Sequence, residues 1–522
     1  MAKVLLAPAY FYRFDPKQWK AQQPYPPYGT LYAAAVLRES GFVVELFDTH
    51  LRHSENELLP ALQASQPKYL VIYDDGFNYL TKMCLTRMRE AAFRMIRLGH
   101  EQGCIVIVSS SDSTDHAEQY LAEGAHFIVL GEGEITLREL LASLETGQGE
   151  VSDIAGIAFS NSEYGMRNAE LFNHSGWDTF EPENSPSPES KNSAFRTARR
   201  PVLTDLNSLP DPAWDMVDFM AYRAIWMRAH GYFSLNLATT RGCPYKCNWC
   251  AKPIYGNRYN SRSPRRVADE IEMLIGRYGV RHFWMADDIF GLKPRWVQEF
   301  RDIVLEKKLE FSYKIQSRAD LLLQEDNIEA LAASGLRQVW VGAESGSQKI
   351  LDAMDKGTTV EQIRQATRLL QKNGVEVCFF LQFGYLGETR ADIEKTIELV
   401  EELLPHDIGI SVSYPLPGTK FYENVKNLLG EKQNWTDSDD LAMMYPATFS
   451  PAFYRRLHRL VHKRFRLRQG LAALRQLLQG RPGPLRRAAL TAYYAPALAL
   501  DNWRLRRLEK SGNAAPEASR VN

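Results

Sequence analysis

Six cysteines in 522 residues are too few for a disulfide framework, and three of them fall within one short stretch. A reducing compartment is therefore expected, and cytoplasmic residence with it. Charge of one sign is not in excess either: 63 Lys and Arg stand against 63 Asp and Glu, so no global pull toward nucleic acid is implied. No apolar run approaches the roughly 18 residues that a membrane span requires. The N-terminus runs straight into Val4-Leu5-Leu6-Ala7-Pro8, too short for a signal peptide and without a cleavage pattern. Nor does a Gly-x-Gly-x-x-Gly follow the first expected strand, which argues against a dinucleotide site. What remains is an ordinary globular composition, long enough for about three domains of roughly 150 residues.

The stretch that organises this chain is Thr240-Arg241-Gly242-Cys243-Pro244-Tyr245-Lys246-Cys247-Asn248-Trp249-Cys250. It follows residues 232–239, whose alternation and aromatic content mark a buried strand. Gly242 and Pro244 interrupt regular structure, so Cys243, Cys247 and Cys250 lie on a loop that can fold round one centre. Iron–sulfur clusters are held by cysteine thiolates. Three thiolates on a cubane leave one iron without a protein ligand, and an open metal position is where chemistry takes place. A structural zinc site would need a distant fourth ligand, such as His230 or His282, so ligand count favours iron. The remaining cysteines, Cys84, Cys104 and Cys378, are scattered in apolar runs.

With Trp249 as the aromatic before the last cysteine, the loop resembles the C-x3-C-x-aromatic-C signature of the radical SAM enzymes. The resemblance implies a [4Fe-4S] cluster on Cys243, Cys247 and Cys250, which are then both metal ligands and the catalytic group. It implies that the amino and carboxylate groups of S-adenosylmethionine chelate the free iron, and that an electron cleaves the sulfonium to a 5′-deoxyadenosyl radical. A donor such as flavodoxin or ferredoxin would supply that electron.

Residues 1–150 alternate short apolar runs with amphipathic segments. Strands are expected at 4–10, 43–48, 69–73, 105–109 and 127–130, with helices at 31–40, 83–101, 114–123 and 135–144. Such alternation predicts an α/β fold with a doubly wound, Rossmann-like sheet, whose ligands sit beyond the carboxyl ends of the strands. The Pro26-Pro27-Tyr28-Gly29 loop, a helix after it and a terminal Gly131-Glu132-Gly133-Glu134 resemble the cobalamin-binding domain of the B12-dependent radical SAM class. That resemblance implies cobalamin as a third cofactor and places Pro27, Gly29, Ser110, Gly131, Glu132 and Gly133 near it. Gly131–Glu134 also reads as a plain turn with a charge pair at a helix start. His50 lies in Asp48-Thr49-His50-Leu51-Arg52-His53, which departs from D-x-H-x-x-G because His53 stands where glycine belongs. It reads as a surface-loop histidine rather than a cobalt ligand.

Residues 151–201 form an expected linker, polar and proline-rich at 181–190. From 202 to 420 strand and helix alternate through six units, which predicts a partial (β/α)6 barrel with reactive loops at the carboxyl ends of its strands. Asp287 and Asp288 end the second strand and read equally as ligand contacts or structural caps. Arg318 follows the third strand and can hold a carboxylate bidentately. Glu344 and Ser345 follow the fourth. Their Gly342–Ser347 element resembles the one that contacts S-adenosylmethionine in the family, with Trp249 and Tyr414 bordering the adenine. Lys252, Tyr255 and Arg258 are assigned to the cluster surroundings or the substrate.

Residues 421–522 form a basic helical region with a disordered tail from 511. No acidic residue occurs between Leu441 and Leu500. A basic amphipathic helix suits an anionic membrane surface, an acidic substrate or its own protein, the last with the arginines solvated, and this last reading is preferred. Together these features imply a cobalamin-dependent radical SAM enzyme, foremost a C-methyltransferase acting on an unactivated carbon of a small-molecule or natural-product substrate. The alternatives are a cyclase or rearrangement enzyme with the same cofactors, and a radical SAM enzyme whose cobalamin domain is non-functional.

Overall fold

The computed structural model describes residues 2–160, 194–432, 434–479 and 485–512. The proline-rich stretch 181–190 and the tail beyond residue 512 lie outside the described residues. The chain divides into two compact units, Met1–Pro244 with Lys252–Asp288 and Asn434–Asp439, and Tyr245–Ala251 with Ile289–Gln433 and Asp440–Asn522.

In the first unit, strands β1 (Lys3–Ala7), β2 (Val43–Leu46), β3 (Tyr69–Tyr73), β4 (Ile105–Ser109) and β5 (Phe127–Val129) are all parallel. All but the edge strand β2, whose Val43 is exposed, are buried on both faces, and alternation assigns each face its partner helices. Leu5, Leu70, Ile72, Val106 and Val108 pack with Leu58, Leu62, Met95 and Ile96. Val4, Leu6, Tyr69, Val71 and Ile107 pack with Ala33, Leu37, Leu137 and Leu141 on the opposite face. This is the doubly wound arrangement. The segment expected as a linker contributes β6 (Ile157–Ser160) and β7 (Ala194–Arg196), which extend the sheet antiparallel in the order β2-β1-β3-β4-β5-β6-β7. The order reverses between β1 and β3, and a sheet of this kind takes its ligand outside the carboxyl ends at that switch point.

The same unit carries β8 (Ser234–Leu237) paired in parallel with β11 (His282–Met285). A small antiparallel ribbon joins β9 (Thr240–Arg241) to β10 (Asn260–Ser261). The helix Pro264–Tyr278 starts with the Ser263 side chain capping the Arg266 amide and buries Val267, Ile271 and Leu274. Residues Asn434–Asp439 return to this unit: Trp435 accepts from the Thr86 amide at 2.9 Å, and the Ser438 hydroxyl donates to buried Asp15 at 2.7 Å.

In the second unit, β12 (Ser312–Ser317), β13 (Leu336–Glu344), β14 (Glu376–Phe383) and β15 (Asp407–Val412) form parallel neighbours in chain order. The helices Trp296–Glu306, Asn327–Ala333, Val360–Lys372 and Arg390–Leu403 alternate with them. The six strands expected of the core are thus present, two in the first unit and four in the second. The long helices Pro451–Leu478 and Leu485–Gly512 pack against each other. Arg455, Arg459, Arg475, Arg486 and Arg487 are exposed, as a solvated face requires, while other basic groups are paired. Arg464 and Arg468 pair with Glu401, Arg466 with Asp407, and Arg456 and Lys463 with buried Asp501. Part of the basic stripe is thus matched by acids within the same unit. No helix among the described residues is long and apolar enough to cross a membrane.

Candidate active site

The cysteine loop is entered from β8. Asp287, fully buried at the end of β11, accepts from the Thr239 amide at 2.6 Å, the Thr240 amide at 2.8 Å and the Thr239 hydroxyl at 2.6 Å. Burial pushes its carboxyl up to about 6, against those same hydrogen bonds, which lower it. Asp287 therefore braces the backbone leading into the loop. Asp288, expected to face the cofactor or substrate, is engaged by Lys82.

Arg241 comes next and is 4% exposed. Its guanidinium pairs with Glu132, and with Glu134 at 2.8 Å. The rings of Tyr32, Phe77 and Tyr255 lie within 5.3 to 5.5 Å of it. Gly242 follows at φ +78°, and a Cβ there would lie 2.2 Å from the Arg258 carbonyl oxygen, so only glycine fits. Tyr255 belongs to this packing, while Lys252 donates to Asn257 at 2.8 Å.

In the second unit Asn248 pins its part of the loop. Its amide donates to the Met354 carbonyl at 3.0 Å, its side chain to the Ala353 carbonyl at 2.7 Å, and it accepts from the Tyr385 hydroxyl at 2.7 Å. Trp249 packs on the apolar group of Ile350, Met354, Tyr385 and Phe421, leaving its buried indole nitrogen without a hydrogen-bond partner. The Arg318 guanidinium lies 3.7 Å over the Tyr245 ring and 3.6 Å from the Cys247 sulfur. Its other nitrogens are held by Asp320 at 3.0 and 3.1 Å.

Glu344 ends β13 where the register with β14 shifts, and it sits at φ +56°. A non-glycine residue in this region is strained and marks a functional site more often than a plain strand end. The buried Lys356 ammonium donates to it at 2.8 Å. Ser345, expected near the cofactor, is fully buried. Its hydroxyl is 3.0 Å from that of Thr396 and accepts from the Ser347 amide.

Cys243, Cys247 and Cys250 are half-buried and outside any disulfide, which suits thiolate ligands. Among the described residues no three His, Cys, Asp or Glu side chains are placed to hold a metal ion. Metal sites commonly complete their geometry on binding. His230 and His282, the helpers a zinc site would need, bond instead to the Gln22 carbonyl and the Ser234 hydroxyl.

At the carboxyl ends of the first sheet, Pro27 precedes the helix Tyr28–Glu39 and the Gly29 amide donates to Asp75 at 3.0 Å. Ser110 caps the short helix Ser111–Asp115 through the Ser113 amide. Gly131 takes φ +73°, and a Cβ on Gly133 would meet Ser109 and Tyr73 at 2.8 Å. Asp74, half-buried and bonded by the Ala9 amide at 2.6 Å, has its carboxyl pushed up to about 7, chiefly by desolvation. His50 is a correction. Expected at the surface, it is 4% exposed, drawn in by the Tyr25 carbonyl 2.6 Å from Nδ1 and by the Tyr10 ring. Its Nε2 and the Ser111 hydroxyl are buried without a partner, so the strand ends keep polar atoms that a ligand could satisfy.

Sequence reasoning passed over Arg241, Asn248 and Lys356. Only Arg241 carried a local signal, a charge at the end of a buried strand.

Residues 237–400 match the radical SAM superfamily. An uncharacterized methyltransferase of Pyrococcus horikoshii is 27% identical over 310 residues, covering 59% of this chain and 60% of that protein. An anaerobic magnesium-protoporphyrin IX monomethyl ester cyclase of Rubrivivax gelatinosus is 23% identical over 431 residues, 81% of this chain and 69% of that one. Among solved structures, the cobalamin-dependent S-adenosylmethionine radical enzyme OxsB with aqua-cobalamin bound aligns with a TM-score of 0.70 at 17% identity. The alignment covers 97% of this chain and 72% of that one, a likeness of fold.

Proposed function

We propose that this protein, which belongs to the radical SAM superfamily through residues 237–400, is a cobalamin-dependent radical SAM enzyme that methylates an unactivated carbon of a small-molecule substrate. The observation that carries the reading is the loop of three half-buried cysteines outside any disulfide, with the Arg318 guanidinium beside Cys247.

Cys243, Cys247 and Cys250 would hold three irons of a [4Fe-4S] cluster. Residues 202–420 would hold S-adenosylmethionine, and residues 1–150 would hold the corrin. When bound, these groups supply the electron, the radical and the methyl carrier. A flavodoxin-like or ferredoxin-like donor would recharge the cluster.

The chain's own residues would do the following. Arg318 keeps one guanidinium nitrogen toward the loop while Asp320 fixes the other two, which orients it toward an incoming carboxylate. Glu344, held by Lys356, offers an acceptor to an ammonium or ribose hydroxyl. Trp249 closes an apolar wall. His50 Nε2 and the Ser111 hydroxyl would meet polar groups of the corrin.

A second reading, ring closure or rearrangement with the same cofactors, is favoured by the resemblance to the Rubrivivax cyclase over most of this chain. One anaerobic assay separates the two. Reconstituted protein with S-adenosylmethionine, hydroxocobalamin, reductant and a substrate panel should release S-adenosylhomocysteine and 5′-deoxyadenosine together if it methylates. Release of 5′-deoxyadenosine alone selects the cyclase reading. Cysteine-to-alanine variants at 243, 247 and 250 that keep wild-type iron would overturn both.

A further inference from the structure

Both feet of the cysteine loop that lie in the first unit stand on the strand-end loops of the first sheet. On the entering side, Arg241 is clamped by Glu132 and Glu134 of the Gly131–Glu134 turn that follows β5. The Glu132 carboxylate also accepts from the Leu203 amide, so the clamp is fixed from behind. On the leaving side, Tyr255 packs on Phe77 with ring centroids 5.5 Å apart. A Cβ on Gly76 would meet Ile254 at 2.9 Å and the Tyr255 hydroxyl at 3.1 Å, and one on Gly131 would lie 3.7 Å from the Ile254 carbonyl. Gly76 and Phe77 belong to the loop after β3, which flanks the switch point of the sheet. The loops that would cradle the corrin are thus the surfaces on which the base of the cluster loop rests. The Glu132 and Glu134 carboxylates are taken by this clamp rather than open to a ligand.

We propose that Arg241 is a positioning residue that fixes the start of the cluster loop to the Gly131–Glu134 turn, so that corrin binding and cluster assembly are energetically coupled. The inference rests on the functional reading above for the identity of the two groups. The geometry that motivates it lies wholly in the first unit. A guanidinium held by two carboxylates in a buried aromatic box has one geometry, which an ammonium cannot reproduce. Coupling between two sites is reciprocal and commonly amounts to about 5- to 150-fold in affinity. A loop shared by both sites in this way is a physical route for it.

The test uses the full chain, anaerobically reconstituted, as wild type, Arg241→Lys, Arg241→Gln and Glu134→Gln. Iron and sulfide content and the EPR spectrum of the reduced cluster are read with and without S-adenosylmethionine. Hydroxocobalamin is titrated by absorbance into apo and reconstituted protein. Wild type should bind hydroxocobalamin at least about fivefold more tightly once the cluster is in place. Arg241→Gln should lose that difference and at least half of its iron, while Arg241→Lys recovers part of both. If Arg241→Gln does not fold, Glu134→Gln, which removes one charge and keeps the shape, should show the same loss of coupling. A folded Arg241→Gln with full iron, an unchanged spectrum and the wild-type ratio of affinities overturns the inference and leaves the functional reading standing. A wild type that takes up the cluster but no corrin refutes the cobalamin reading and the coupling with it. A wild type that takes up neither overturns both.

Discussion

Replacing Gly242 by alanine separates two ways in which a loop can depend on glycine. Gly242 and Gly256 both have positive φ, +78° and +64°. An L-residue in this region costs roughly 1–2 kcal/mol at either position. Their surroundings differ. An alanine at 256 would have the Arg199 guanidinium 3.8 Å away as its nearest neighbour, an ordinary contact. At 242 the new carbon would sit 2.2 Å from the Arg258 carbonyl oxygen and 3.2 Å from that of Gly256, both backbone atoms. Non-bonded heavy atoms prefer about 3.5 Å or more, so the segment has to part by about an ångström. That displacement breaks the two-residue ribbon in which Asn260 pairs with Arg241, and loosens the Arg262 amide bond to the Thr239 carbonyl at 2.9 Å. At about 1 kcal/mol for each lost bond, Gly242→Ala should cost roughly 3–5 kcal/mol. Gly256→Ala should cost a third of that. In a unit of this size about 1 kcal/mol moves a melting point by roughly 2–4 °C. Calorimetry of the apo proteins should therefore place Gly242→Ala well below Gly256→Ala, and only the first should fail to incorporate iron. Two variants that melt together and hold equal iron would refute the reasoning.

Two further outcomes are expected. Glu344→Gln leaves the buried Lys356 ammonium without its carboxylate, a loss of about 3–5 kcal/mol. The double variant with Lys356→Met should regain most of that stability but not the affinity for S-adenosylmethionine, and recovery of both would show that Glu344 is purely structural. Burial pushes the Glu388 carboxyl up to about 8, against the bond it accepts from the Gly384 amide. Between the ordinary carboxylate range and that value the folded chain holds a proton that the unfolded chain has released, so stability falls as pH rises through the window. Glu388→Gln should remove that fall, and parallel melting-point-versus-pH curves for the two proteins would contradict it.

Regular elements were legible wherever burial imposed a period. The strands Tyr69–Tyr73 and Ile105–Ser109 lie where apolar runs put them. The helix Leu58–Ser65 was not anticipated, since only Leu58 and Leu62 of its eight residues are buried and it has no polar face to set a period. The helix expected at 114–123 is two, Ser111–Asp115 and Ala117–Ala122, because Ser110 caps the first and His116 interrupts them. Strand β6 and the edge strand β7 fall in the stretch expected as a linker; β7 has only three residues, two of them exposed, so burial imposes no period on it. In the site, the cysteine spacing was plain because it is local. The Arg241 clamp was not, because its acids lie 107 and 109 residues away in the chain.

Several polar residues at the strand ends hold the loops. Ser110 caps a helix, Ser345 joins Thr396, Asp288 is engaged by Lys82, and Glu132 serves Arg241. A charged group that is already paired must give up its partner before it binds a ligand, which weakens it as a contact and strengthens it as a support. Under the function proposed above, recognition would fall to the backbone and to buried polar atoms without a partner, such as His50 Nε2 and the Ser111 hydroxyl in the first unit and the Trp249 indole nitrogen in the second. Arg318 stands between these cases, fixed through two nitrogens by Asp320 and directed by the third at Cys247. Such a group can bind a carboxylate beside the loop without reorganising. Pre-set geometry of this kind lets a site act on a reactive species at little entropic cost.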